Sequence, residues 1–414
     1  MNRLTIVVFT SILLISCIGK DKNRNNYQNS EAMKNDSTAQ YGYNLGFLRK
    51  YTRVIELRKG NAALALAPEW QGRVMTSTSE GDTGFSFGWI NHELIKSGKI
   101  LPHINPYGGE ERLWLGPEGG QYSIFFKKGD EFVYNNWQTP AFIDTIPFTV
   151  TRITDTSALF SSYADIENYS GTLFKLGIER EVTLLSVGQI IKETGIDLTG
   201  LNTIAFRSAN KLTNHGKNEW KKESGLLSVW MLGMFNPSPA VTVVIPVKPG
   251  EEKELGVYVN DNYFGKISSG RLKVSGNNVC FKADGKSRGK IGISPQRTRG
   301  IMGSFDFDNN ILTLLLCNLP EGEKDYVNSA WEIQEKPYSG DALNSYNDGP
   351  LADGSQMGPF YELETSSPAA ALKPGESITH SQVTIHLTGD KKALDKAALK
   401  SLGISLEQIE KAFE

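Results

Sequence analysis

The sequence predicts an all-β protein: one large antiparallel sandwich over residues 41–390, with a short helical appendix at 391–414. Three observations predict it. From Tyr51 onward apolar residues recur with period two, most clearly from Gln382 to Leu387, where Val383, Ile385 and Leu387 alternate with Gln382, Thr384 and His386. Clusters of Gly, Pro, Asn and Asp, such as Asp308-Asn309-Asn310, separate the apolar runs. Convincing helical periodicity is confined to the end of the chain: after Gly389, Leu394, Ala397, Ala398 and Leu402 share one face, and Ile404, Leu406, Ile409 and Phe413 follow in a second short helix or turn. The alternation in the last strand puts one face in the core and the other in water, and the helical tail is expected against a sheet edge.

The first residues read as an address. Arg3 supplies a positive start, Leu4 to Ile15 form a short apolar core, and Ser16 precedes Cys17, the pattern of a signal peptide over residues 1–16. The apolar run is shorter than the roughly 20 residues a spanning helix needs. Leu14-Ile15-Ser16-Cys17 resembles the lipobox of bacterial lipoproteins, which implies cleavage before Cys17 and acylation of its sulfur. The polar stretch that follows cannot bury enough apolar surface to order itself, so residues 17–40 read as a lipidated cysteine and tether. By analogy with lipoprotein sorting, Ile18 favours delivery to the outer membrane of a bacterial envelope.

Strand-like runs then succeed one another at 54–66, 148–161, 175–185, 241–247, 255–259, 289–293 and 311–316, and a longer amphipathic strand-like run spans 190–206. No internal repeat of fixed period is present, and the hydrophilic stretches at 217–224 and 251–254 are short enough for hairpin ends. These features favour a single domain over a propeller, a solenoid or two domains. Lys and Arg number 44 against 46 Asp and Glu, a net charge of −2, without the basic excess that drives nonspecific phosphate binding; nucleic acid is not an expected partner. Beyond the anchor only Cys280 and Cys317 remain, either as one disulfide or as two buried thiols. No dinucleotide, phosphate-loop or zinc-protease motif occurs, so neither a cofactor nor a metal is expected.

Three segments carry chemistry. Between His103 and Gln121, paired glycines surround Arg112 and Trp114, with Glu110, Glu111 and Glu118 nearby. Aromatic faces stack on pyranose rings, and Arg, Glu and Gln bond hydroxyls directionally, so this loop suits a sugar; an ion pair between Arg112 and a glutamate that stabilises the bend suits it equally. The second segment is Lys211-Leu212-Thr213-Asn214-His215-Gly216, which holds one of only five histidines in the chain: a proton shuttle, or an ordinary turn residue. The third runs from Trp331 to Pro368 and contains Glu362 and Glu364, two carboxylates at i and i+2 of an expected strand and hence on one face. Asp348 and Asp353 lack the spacing of a calcium loop.

The order of these parts resembles the aldose 1-epimerase (galactose mutarotase) superfamily, in a divergent branch of bacterial lipoproteins. The Arg112 loop, the Thr213-Asn214-His215 turn and the closing Leu363-Glu364-Thr365 and Leu372-Lys373-Pro374-Gly375-Glu376 segments follow the family's order, from roughly Val54 to Leu387. The resemblance implies a galactose mutarotase-like β-supersandwich with a sugar site on a concave sheet face. It assigns His215 the role of proton donor to the ring oxygen and Glu364 that of base at the anomeric hydroxyl, with Arg112, Glu118, Glu362, His103 and Trp114 binding substrate. The family's aromatic residues after Asn-His are replaced here by Gly216-Lys217-Asn218-Glu219-Trp220, and its His-Gly-Gly-like loop by Gly116-Pro117-Glu118-Gly119-Gly120. The expected activity is recognition of a sugar or oligosaccharide with anomer interconversion; the alternative is a non-catalytic carbohydrate-binding lipoprotein of a glycan-uptake system.

Overall fold

A computed structural model describes residues 37–414; the expected signal peptide, Cys17 and residues 18–36 of the tether lie outside the described residues. In chain order the strands are β1 (Ile55–Lys59), β2 (Ala62–Ala67), β3 (Arg73–Thr78), β4 (Arg112–Gly116), β5 (Thr149–Ile153), β6 (Ser157–Glu167), β7 (Leu173–Leu184), β8 (Leu201–Asn214), β9 (Ser228–Phe235), β10 (Val241–Pro246), β11 (Leu272–Ser275), β12 (Asn278–Lys282), β13 (Gly289–Ile293), β14 (Ile301–Asp306), β15 (Ile311–Cys317), β16 (Leu343–Asn347), β17 (Tyr361–Ser366) and β18 (Ser377–Gly389). The helices are α1 (Tyr41–Tyr51), α2 (His92–Ser97), α3 (Ala141–Asp144), α4 (Val187–Thr194), α5 (Glu252–Leu255), α6 (Lys391–Leu402) and α7 (Leu406–Glu410).

Ten strands form the larger sheet, ordered β11-β12-β10-β14-β15-β18-β8-β7-β6-β5; a five-stranded sheet, β13-β16-β17-β9-β4, packs against it, and β1-β2-β3 form a third. Every pairing between these strands is antiparallel, as the short, turn-bounded runs predict. The turn residues behave as their chemistry requires. Asp306 Oδ1 accepts the backbone N–H groups of Asp308 and Asn309, and Asn310 takes a left-handed φ of 55° to close the β14–β15 hairpin.

Odd-numbered residues of β4, β9 and β17 point into the sandwich. Leu113, Leu115, Val229 and Met231 meet Phe174, Leu176, Ile178 and Phe206 from the larger sheet, while Leu363 and Tyr361 meet Val243, Met302 and Leu315. Even-numbered residues of the same strands therefore face outward from the smaller sheet. This parity sets the geometry of the site.

The structure corrects the faces assigned to the last strand. Gln382, Thr384 and His386 are buried and point between the sheets, not into water. Val383, Ile385 and Leu387 face the other way and are also buried, under Leu394, Ala397, Ala398 and Leu402 of α6, and Ile404, Leu406 and Ile409. The C-terminal appendix thus covers a face of the ten-stranded sheet, not its edge. Its helices start at defined caps: Asp390 accepts the Ala393 N–H, and Ser405 with Gln408 forms a capping box. Other boundaries also move. The run 190–206 divides into α4, opened by a Ser186/Gln189 capping box, and the start of β8; residues 256–259 form no strand; and residues 41–51, read as part of the sandwich, form α1, which packs Tyr41, Leu45 and Leu48 on the Ala63–Ala65–Ala67 face of β2. Cys280 and Cys317 are free thiols on β12 and β15, with β10 and β14 between them.

The charged side chains between the sheets are paired, although Glu110 Oε1, His380 Nδ1 and Thr384 Oγ1 have no partner. Arg180 and Glu111, both fully buried, bond at 2.7 Å; Arg180 also donates to Asn210 and to the Gly72 carbonyl. Gln382 donates to the second Glu111 oxygen, His386 Nε2 meets Glu110 at 2.9 Å, and the His386 ring stacks on Phe87. Glu110 and Glu111 immediately precede β4. Their bonds to β7 and β18 fasten the strand that carries Arg112 and Trp114.

Candidate functional site

The outward face of the five-stranded sheet collects the polar side chains. Across β4, β9, β17 and β16 the register aligns Arg112 with Leu232, Leu232 with Glu364, and Glu364 with Asn344; one step along, Met234, Glu362, Tyr346 and Lys290 are aligned. Glu362 and Glu364 share this face, and Arg112, Trp114, Trp230, Asn344 and Lys290 stand on it with them. The glycines that bring the chain to β4 are needed for their backbone. Gly108 and Gly109 have φ of 94° and 112°, and a Cβ on Gly108 would meet the Trp89 carbonyl oxygen at 2.1 Å.

Each carboxylate has a cation. Arg112 Nη2 meets Glu362 Oε1 at 2.8 Å with both side chains buried, and the guanidinium lies 4.4 Å from the Trp114 ring centre. Lys290 Nζ and Trp230 Nε1 both donate to Glu364 Oε2, at 2.8 and 2.9 Å, and the ammonium sits 4.7 Å from the Trp230 ring centre. Glu364 Oε1, Arg112 Nε, Trp114 Nε1 and Ser228 Oγ are buried without a partner. Glu110 Oε1, His380 Nδ1 and Thr384 Oγ1 between the sheets are likewise without a partner; what sets this face apart is that its unpartnered atoms stand beside two ion pairs and two indoles.

Beside Trp230 and Lys290 opens a small recess of about 60 Å³, lined mainly by polar groups including Asn260, Tyr263, Asp341, Asn344, Ser329 and Ser228. Tyr263 donates to Asp341 at 2.5 Å, and Asn344 donates to the Tyr263 oxygen at 3.0 Å. Glu118 reaches the same region from the loop after β4: its backbone N–H bonds Ser329 Oγ, and its carboxyl interacts with Lys290, Glu364 and Trp331.

Burial sets the proton affinities. It pushes Glu362 up to about 7, with the Glu364 charge adding to the rise and Arg112 and Lys290 opposing it. Burial likewise raises Glu118, with Lys290 opposing, and Asp341, with its Tyr263 and Asn260 hydrogen bonds opposing. One carboxyl on the face is therefore poised to exchange a proton near neutrality. Among the described residues no cluster of His, Cys, Asp and Glu is arranged to hold a metal.

Of the residues singled out from sequence, Arg112, Trp114, Glu362 and Glu364 come together, and Glu118 borders them. His103 stands apart from the carboxylates, half-buried at the end of an aromatic group, with Nδ1 at 2.6 Å from the Trp137 carbonyl and its ring beside Tyr134. The structure does not bring His215 to this face. Its exposed ring lies on Gly177 of β7 and against Tyr163 of β6, on the outer side of the ten-stranded sheet. Asn214, locked by bonds to Asn218 and Leu372, takes the inward position and leaves His215 the outward one. Lys290, Trp230, Tyr263, Asp341 and Asn344 were not singled out. Only Lys290 carried a signal, a lone cation alternating with Ile291 and Ile293 in a short apolar strand.

The fold is similar to that of the Slr1438 protein from Synechocystis, at 13% identity and a TM-score of 0.49, over 82% of this chain and 96% of that one. It is also similar to a galactose mutarotase-like protein from Lactobacillus casei, at 11% identity and 0.49, over 81% and 100%. A galactose mutarotase related enzyme from Lactobacillus acidophilus matches at 11% identity and 0.44, over 81% and 97%. No curated protein sequence matches the chain. A family model matches residues 39–413, nearly the whole described chain with its C-terminal helices, and the protein belongs to that family, the family of unknown function DUF6786.

Proposed function

We propose that this chain is a carbohydrate-recognising protein, held to the bacterial cell envelope by a lipid on Cys17, and that its sugar binds on the outward face of the five-stranded sheet. One observation carries the reading: Glu362 and Glu364 leave one face of β17 paired to Arg112 and Lys290 beside two indoles, while Glu364 Oε1 and Arg112 Nε remain without partners. A pyranose supplies what these groups lack, hydroxyls that both donate and accept and a C–H face for an aromatic ring. The resemblance of the closing strand to aldose 1-epimerases points the same way, with Glu364 at the position of that family's glutamate. Titration calorimetry of the purified chain with aldoses tests the reading. Binding that is lost in Glu364→Gln and in Arg112→Met supports it; an unchanged affinity in both variants removes the site.

A second reading, anomer interconversion, is favoured by the elevated proton affinity of Glu362. In it the protonated Glu362 donates to the ring oxygen and Glu364 takes the anomeric hydroxyl proton; the C1–O bond of the ring breaks, C1 rotates and the ring closes. The proton that the resemblance assigns to His215 then comes from Glu362. Mutarotation followed by NMR separates the donors: activity lost in Glu362→Gln and kept in His215→Ala supports Glu362, and the reverse supports His215.

A further inference from the structure

An aromatic path leads away from the carboxylates. Trp114 touches Trp230 edge-on at 5.6 Å between ring centres and stands 6.4 Å from Trp137; Trp137 stacks on Trp331 at 5.9 Å and on Tyr134 at 6.0 Å. The inner rings are buried. The outer ones are not: Trp331 is 36% exposed and Tyr134 56% exposed. The path is joined to the site at both ends of one contact, because Trp331 hydrogen-bonds Glu118, and Glu118 interacts with Lys290 and Glu364. Phe126 meets the Trp331 ring edge-on at 5.1 Å and holds it in place.

We propose that Trp331 and Tyr134 form an outer subsite, and that the ligand is a neutral linear oligosaccharide with its terminal unit at Glu362 and Glu364 and its following units laid along these rings. The inference rests on the carbohydrate reading above and extends it from a sugar to a chain of sugars. A free monosaccharide held at Glu364 would leave the exposed indole with no role, whereas each further pyranose offers a C–H face to it. Neutrality follows from the charges. Arg112 and Lys290 are already paired to Glu362 and Glu364, and Glu118, Asp341 and Asp348 add further carboxyls, so that five carboxyls stand against three cations, Arg112, Lys290 and the ring-stacked Arg288, and an acidic glycan meets an excess of acid.

The test is calorimetric binding of glucose, galactose, mannose and xylose, and of their short linear oligomers, to the purified full chain and to Trp331→Ala and Trp331→Phe. Affinity is expected to rise with chain length by about five- to tenfold for the unit that reaches the indole. Trp331→Ala is expected to abolish that rise, weakening the oligomer by at least about fivefold more than the monosaccharide, and Trp331→Phe to keep most of it. An unchanged melting temperature in both variants confirms that the partly exposed ring is not needed for folding. A constant independent of chain length, an equal loss for monomer and oligomer, or tighter binding of an oligogalacturonide than of its neutral counterpart overturns the proposal while the site at Glu364 stands. If no saccharide of any length binds, the carbohydrate reading fails, and the proposal with it.

Discussion

Replacing Glu362 by Gln should stabilise the protein at alkaline pH and leave it nearly unchanged in mild acid. The group's proton affinity rises on folding, from the usual 4.5 to about 7, because burial and the Glu364 charge outweigh Arg112. Its contribution to stability is therefore fully present below the unfolded value and is lost as pH rises through the folded one. At ~1.4 kcal/mol for each decade, that loss amounts to about 3 kcal/mol between pH ~4.5 and ~8. Gln is a neutral near-isostere of the protonated acid, so the variant escapes the loss. Urea unfolding followed by tryptophan fluorescence at a series of pH values measures it. The difference between variant and wild type should lie near zero at pH ~4 and reach about 3 kcal/mol in favour of the variant by pH ~8. Taking the difference cancels His380, whose burial lowers its affinity to about 4 and which costs stability as pH falls from its usual range toward that value. A variant less stable than wild type at pH ~8 would refute the argument, because it would mean that the 2.8 Å Arg112 pair outweighs the burial of the carboxylate.

Three further outcomes follow from the packing. Arg180→Met leaves Glu111 charged and unpaired between the sheets and should cost about 3–5 kcal/mol in urea unfolding, with much of the loss restored in Arg180→Met/Glu111→Gln; a single-variant loss below ~1 kcal/mol would contradict the buried pairing. Deleting residues 391–414 strips the cover from Ala205, Leu314, Val383, Ile385 and Leu387 and should yield insoluble protein, since each fully buried aliphatic side chain is worth about 1.5–3 kcal/mol; a soluble, cooperatively melting truncation would contradict it. His215→Ala should leave sugar affinity within about twofold and the melting temperature nearly unchanged, because its ring is exposed on the far sheet; a tenfold weaker affinity would place His215 at the site after all.

The sequence made the strands legible because alternation and turn chemistry are local. Asp308-Asn309-Asn310 closes its hairpin with the bonds such residues favour, and Glu362 and Glu364 share a face because they are two apart on a strand. Which side of a strand is wet is not local. The alternation of Gln382, Thr384 and His386 with Val383, Ile385 and Leu387 looks half-exposed, yet both faces of β18 are buried, the polar one against Glu110, Glu111 and Thr365 and the apolar one under α6. A polar residue satisfied by a distant partner reads like a solvated one until the partner is known. The same limit governed the site. Arg112, Trp114, Glu362 and Glu364 stood out by composition, but Lys290 finds Glu364 across 74 residues and Trp230 finds it across 134. His215 matched a motif, and the chain after Asn214 turns it to the outer face of the ten-stranded sheet.

A crystal structure of the chain with the tightest-binding saccharide tests the central claim most directly. Sugar density is expected on the outward face of the five-stranded sheet, with a hydroxyl on Glu364 Oε1 and a ring face toward an indole. Density on the ten-stranded sheet beside His215 and Tyr163, with the Glu364 face empty, would contradict it.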